Sequence, residues 1–248
     1  MARTVLSTLI VIALACAPSA QAAQAPAAKT PVKASAKAQS DVQSWQADLT
    51  MKMNVQGQSV DVTGTICAKK PNRTRIEMSL STMPQAKQVV YSDGKTVWVY
   101  LPEMNIATKI DASKARSALG MGAQGDLAGI SNPLAGFPKD SIKALPDETL
   151  DKEACKVYDC KPPVALGGKL PFMPAKIKIW VSKKTNMMVG QDMVGADGNV
   201  MMFIRLSNIK VNPELADSVF AFAPPKDAKV SDMTEGAVKA LKELKDKK

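Results

Sequence analysis

The 248-residue chain contains no histidine. That absence removes Ser-His-Asp and Cys-His nucleophile arrangements, histidine-ligated metals and the usual general base at neutral pH. Carboxylates remain, but no pair of them stands at a spacing that suggests shared acid–base work. P-loops, C-x-x-C pairs and metal-ligand clusters are missing too. An enzyme is therefore not expected, and neither is a cofactor. Aromatic residues are scarce, at 4%. The only G-x-G-x-x-G match, "GMGAQG" at 120–125, follows a helix-forming stretch instead of a strand, and a loose glycine-rich stretch follows it. A dinucleotide site needs the reverse order, so this motif reads as a flexible loop.

Methionine is abundant, with 14 residues. A core short of rings and rich in thioethers is soft and adapts to variable ligands. The N-terminus reads "MARTVLSTLIVIALACAPSAQA". Arg3 supplies a positive start, and residues 5–16 form an apolar stretch too short to span a bilayer comfortably. Ala20-Gln21-Ala22 fits a cleavage site, so residues 1–22 read as a secretory signal peptide and the expected location is the periplasm. Cys16 offers a second reading, lipidation, although a lipobox usually carries leucine where Ala13 stands. Residues 23–44 are rich in Ala, Lys, Gln and Pro and read as a low-complexity linker.

The net charge is +10, and loss of Arg3 with the leader leaves +9. An exported basic protein is drawn to anionic surfaces such as lipid headgroups, so transient membrane-surface contact is expected. No basic-aromatic patch points to nucleic acid. Beyond the leader the cysteines are Cys67, Cys155 and Cys160. An oxidising compartment makes one disulfide an expectation. If "CKVYDC" is extended, Cys155 and Cys160 lie ~16 Å apart on opposite faces and cannot bond. Either the chain bends there or Cys67 is a partner.

From Trp45 to Val55, apolar and polar residues alternate strictly, which predicts a half-buried strand. After a turn at 56–58, Val60, Val62 and Ile66 mark one face of the next strand, and "KKPN" turns a corner. Ile76, Met78 and Leu80 alternate with Arg75, Glu77 and Ser79. "KQVVYSDGKTVWVYLP" reads as a hairpin about Asp93-Gly94, and its second strand is apolar on both faces. A strand of that kind suits a sheet with packing on one side and an oily hollow on the other.

Residues 112–137 break the pattern. They begin with a helix-forming stretch and continue as a glycine-rich apolar segment, read as a lid over the sheet. Lid candidates are Leu119, Met121, Leu127, Ile130, Leu134 and Phe137. Strands resume around 142–145, 154–159 and "AKIKIWVSKKT", followed by a long hairpin turning at Asp197-Gly198. "VFAFAPP" reads as a short last strand. Residues 45–232 then form one domain, mainly β: a single curved antiparallel sheet making an incomplete barrel, with a helical lid over an apolar concave face. Residues 233–248 form a basic C-terminal tail.

The expected cavity lining begins with Trp45, Leu49, Met51 and Met53, then Val60, Val62 and Ile66, then Ile76 and Met78. Trp98 and Tyr100 are added from the hairpin, and Ile179, Val181, Met202, Ile204 and Leu206 from the later strands.

Three stretches in this order, "AKKPNRTRIEM", "VVYSDGKTVWVYLP" and "NPELADSVFAFAPPKDAKV", resemble the periplasmic outer-membrane lipoprotein carrier family (LolA-like). The resemblance implies a half-barrel that binds acyl chains of lipoproteins or lipids. It also implies partners: an inner-membrane release complex and an outer-membrane acceptor. The family's lid-holding arginine falls at Lys70, where lysine keeps the charge but loses the planar fork. Arg73 and Arg75 stand nearby as substitutes. A related reading is an envelope-stress sensor of the same shape, which binds lipoprotein without transporting it.

Overall fold

In the computed structural model, residues 42–55, 58–114, 130, 133–134, 137–162 and 174–239 are described. The leader, nearly all of the linker, "GMGAQG" and the lid candidates Leu119, Met121 and Leu127 lie outside them.

Alternation becomes strand where it was read. Strand β1 is Ser44–Val55, β2 is Gln58–Lys69 and β3 is Arg73–Leu80. In β3 the pattern is regular, with Thr74, Ile76, Met78 and Leu80 buried and the residues between them half-buried. The hairpin joins β4, Met83–Ser92, to β5, Thr96–Leu101. Asp93 Oδ1 accepts from the backbone N–H groups of Lys95 and Thr96 at 2.8 and 2.7 Å, and Gly94 has a φ of 90°. A side chain at that φ would be strained, so this turn needs its glycine. Strand β6, Ile106–Asp111, follows. The second half contains β7, Ile142–Leu150; β8, Glu153–Cys160; β9, Lys176–Ser182; β10, Met188–Val194; and β11, Val200–Val211. The last strand is β12, Lys229–Asp232.

All twelve strands form one sheet in the order β12-β6-β5-β4-β3-β2-β1-β11-β10-β9-β8-β7. Neighbours are antiparallel except β12, which pairs parallel with β6. The sheet is curved and open, with β12 and β7 as its two edges. The chain runs outward from β1 to β6, restarts at the far edge with β7, and steps back to β11 beside β1. Thus β6, next to one edge, and β7, at the other, are consecutive in the chain but far apart in the sheet.

Close approach of β2 and β3 depends on Gly64. A Cβ there would sit 2.0 Å from the Glu77 carbonyl oxygen. Nothing in the period-two pattern marks that contact, because Gly64 simply occupies an inner-face position between Val62 and Ile66.

Three expectations need correcting. "VFAFAPP" is not a strand: Asp217–Phe220 is a single 3-10 turn and residues 221–225 have no regular structure. The closing strand is β12, further along. Folding also begins before Trp45, since Val42 is buried in the core and Ser44 opens β1. The expected disulfide is absent among the described residues: Cys67, Cys155 and Cys160 are all free thiols. Strand β8 is extended, so Cys160 packs in the main core while Cys155 packs in a second cluster on the opposite face. Burial raises both thiol pKa values, that of Cys160 to about 12.

Candidate functional site: the apolar inner face

Register pairs define the inner face from strand to strand. Ala47 faces Ile66, Ile66 faces Ile76, Ile76 faces Val90, and Val90 faces Val99. On the other side of β1, Met53 faces Met202, Met202 faces Met193, Met193 faces Ile177, Ile177 faces Cys160, and Cys160 faces Ile142. Residues paired across a sheet share a face, so this row is one continuous apolar surface from β5 to the β7 edge. It forms a single cluster in which Met51 is 1% exposed and Val62 0%.

Most of the expected lining belongs to it. Trp45, Leu49, Met51, Val62 and Ile66 are buried there, as are Ile76 and Met78. Ile179, Val181, Ile204 and Leu206 join from the second half, and Met53, Val60 and Met202 pack partly buried against it. Of the lid candidates, Ile130 is buried in the cluster and Leu134 and Phe137 pack against it. The Ile130 carbonyl accepts from the Met188 N–H at 2.9 Å, which ties this stretch to β10. Thus Ile130, Leu134 and Phe137 of the β6–β7 connection lie against the inner face.

Trp98 and Tyr100 do not line this face. Trp98 is paired with Tyr91, and Tyr91 with Arg75, which places them on the outer side. There Phe222 stacks on Tyr91 at 4.8 Å between ring centroids, with Tyr100 at 5.0 Å and Trp98 at 5.5 Å. The inner residues of β5 are Val97 and Val99. Because β5 is apolar on both sides, alternation alone could not choose between the two pairs. The polar residues paired with it across β4 and β3 do choose.

At the corner the described contacts of Lys69, Arg73 and Arg75 lie with the outer side of the sheet. Lys70 is exposed, and its backbone N–H donates to the Gln43 carbonyl at 2.8 Å. Beside it, Lys69 Nζ donates to the Leu215 carbonyl at 2.7 Å and to Asp217 at 2.8 Å, and Arg73 also pairs with Asp217. Those two cations hold the Asp217 carboxyl below its ordinary pKa. Arg75 pairs with Glu77 at 2.7 Å and lies over the Tyr91 ring. Lys69 and Arg73 thus fasten the segment at Leu215 and Asp217 to the outer face, while Arg75 is engaged with Glu77 and Tyr91.

A second outer cluster lies on the far half. Cys155, Val157, Trp180 and Val189 pack together. Trp180 Nε1 donates to Glu148 at 2.8 Å, and Lys178 and Arg205 lie over its ring at 4.6 and 4.9 Å.

Sequence reasoning missed Gln88. It sits on β4 opposite Met78, inside the apolar row, and is 1% exposed. Its polarity hid it, because the strand reading looked for apolar residues. No group of three or more His, Cys, Asp or Glu among the described residues could hold a metal ion.

A solved structure of an uncharacterized conserved protein from Thermus thermophilus shares this fold, with a TM-score of 0.52 at 13% identity, over 77% of this chain and 91% of that one. The lipoprotein LppX of Mycobacterium tuberculosis gives 0.43 at 13% identity, over 75% and 94%. A LolA superfamily protein of Nitrosomonas europaea gives 0.35 at 13%, over 78% and 99%. In sequence, an uncharacterized protein of Methanocaldococcus jannaschii (MJ0687) is 24% identical over 209 residues, 82% of this chain. The chain spans about half the length, 52%, of that curated relative. The family described as "Predicted periplasmic protein (DUF2092)" matches residues 34–232, and the chain belongs to this family.

Proposed function

We propose that the protein is a periplasmic carrier that takes up the acyl chains of lipoproteins or lipids on its inner face and passes them to an outer-membrane acceptor. The observation that carries this reading is the unbroken apolar row from β5 to β7, crossed by Ile130, Leu134 and Phe137. An acyl chain of about fifteen methylenes gains ~12 kcal/mol on leaving water, at ~0.8 kcal/mol per CH₂. A basic residue near an anionic surface contributes only about 1 kcal/mol. Apolar burial therefore holds the cargo and charge guides docking. No nucleotide-binding motif is present in the sequence to drive transfer, so the hand-off is passive. Cargo moves to whichever site binds it better.

Native mass spectrometry of protein isolated from its own periplasm tests this. Acylated species should co-purify and should move to acceptor vesicles when the two are mixed. Protein that arrives empty and takes up no acyl probe would sink the reading. Cargo that stays bound, with a protein partner retained instead, would favour the sensor reading.

A further inference from the structure

Gln88 is polar, almost fully buried and set in the middle of an oily surface. Its inner-face neighbours include Met78 across the register and Val90 along the strand. Both side-chain polar atoms, Nε2 and Oε1, are buried without a hydrogen-bond partner. The other such atom among the described residues is Asp159 Oδ1, whose second oxygen lies 3.8 Å from Lys176. Gln88 is thus the described side chain left with both a donor and an acceptor unmet. Buried polar groups are nearly always paired, and leaving one unpaired is strongly unfavourable. An apolar residue of the same length would fill this position without that penalty.

We infer that Gln88 reads the polar start of the cargo, a proposal that rests on the acyl-carrier reading and adds a specificity point to it. A carboxamide presents one N–H and one C=O side by side. Its natural complement is an edge with a C=O and an N–H side by side. An extended amino-acid residue has such an edge, as hydrogen-bonded residue pairs in antiparallel sheets show. An acyl chain amide-linked to an extended residue offers that edge where the hydrocarbon ends. An ester-linked chain offers only acceptors and leaves Oε1 unmet. The inner face therefore favours N-acylated residues over acyl esters, and Gln88 makes the distinction.

The test uses three hexadecanoyl probes and the full exported protein. They are N-hexadecanoyl-glycine methylamide, its glycolic ester isostere in which one N–H becomes O, and methyl hexadecanoate. The wild type should bind the amide about tenfold tighter than the isostere, the effect of one buried hydrogen bond. Gln88→Met should bind all three alike. Without ligand, Gln88→Met should melt about 2–4 °C higher, because an unmet polar group is gone. Equal binding of amide and isostere by the wild type overturns the inference, and so does a preference that survives in Gln88→Met. A lower melting temperature for Gln88→Met would show a structural role and overturn it as well. Binding without discrimination leaves the carrier reading standing, whereas failure of every probe to bind removes both.

Discussion

The inner and outer faces of this sheet are built from the same strands by different chemistry. Inside, contacts are aliphatic and thioether, as at Leu49, Met51, Met78, Ile204 and Leu206. Outside, ordering comes from directional groups: rings around Phe222, a carboxylate shared by Lys69 and Arg73, and an indole held by Glu148 between two cations. Apolar contacts are non-directional, so one set of side chains can meet chains of different shape. Stacked rings and ion pairs have preferred geometries and hold one arrangement. Directional contacts thus dominate the outer face and non-directional ones the inner face.

Several changes would break or sharpen this contrast. The largest effect is expected from Met51→Asp, which buries a charge at the centre of the inner face. It should remove more than about 4 kcal/mol of stability and abolish a cooperative melt, while Met51→Leu stays within about 1.5 kcal/mol. Similar losses for the two would mean that shape, not polarity, governs the inner face. Next comes Trp180→Ala, expected to lose about 3 kcal/mol in denaturant melts. Acyl-probe binding should nonetheless be retained; if it disappears with the frame still folded, the two faces are not separable.

Phe222→Ala removes three ring contacts and should cost about 1–2 kcal/mol. Hydrogen exchange should then rise in residues 217–232 and not in β1 or β11. Asp217→Asn should shift the melting temperature only slightly, since this group is exposed. Its folded pKa lies below the ordinary value of 3.8. The stabilisation is therefore complete above that value and lost as pH falls through the folded pKa. The variant should flatten the acid limb of a stability–pH profile below about pH 4, and an unchanged acid limb would assign that slope to other carboxylates. A reductant should produce the smallest effect, none, because Cys67, Cys155 and Cys160 are unpaired. A reductant-sensitive melt would contradict those thiols.

Much of the fold could be read directly. Strand β1 was legible because one face is buried and the other wet, which imposes period two on the residues themselves. The turns at Asp93-Gly94 and Asp197-Gly198 were legible because positive φ selects glycine. Strand β6 was not recognised, because "IATKID" is short and its residues mostly half-buried. Strand β12 was missed for a related reason: all four residues are exposed, so no alternation survives to mark it. "VFAFAPP" looked like a strand because its phenylalanines alternate with small residues. They do so for separate reasons, since Phe220 is buried and Phe222 joins the outer rings.

The sequence by itself determined that this is a β-rich chain with one oily face, because local alternation and turn glycines are properties of the residues alone. Tertiary structure decided which side of β5 looks inward, where Phe222 lies and why Gln88 stands unmet in an apolar row. Facing on a two-sided apolar strand and the pairing of a buried amide are set by neighbours distant in sequence. Period-two reasoning looks only along one strand, whereas register across strands decides the rest.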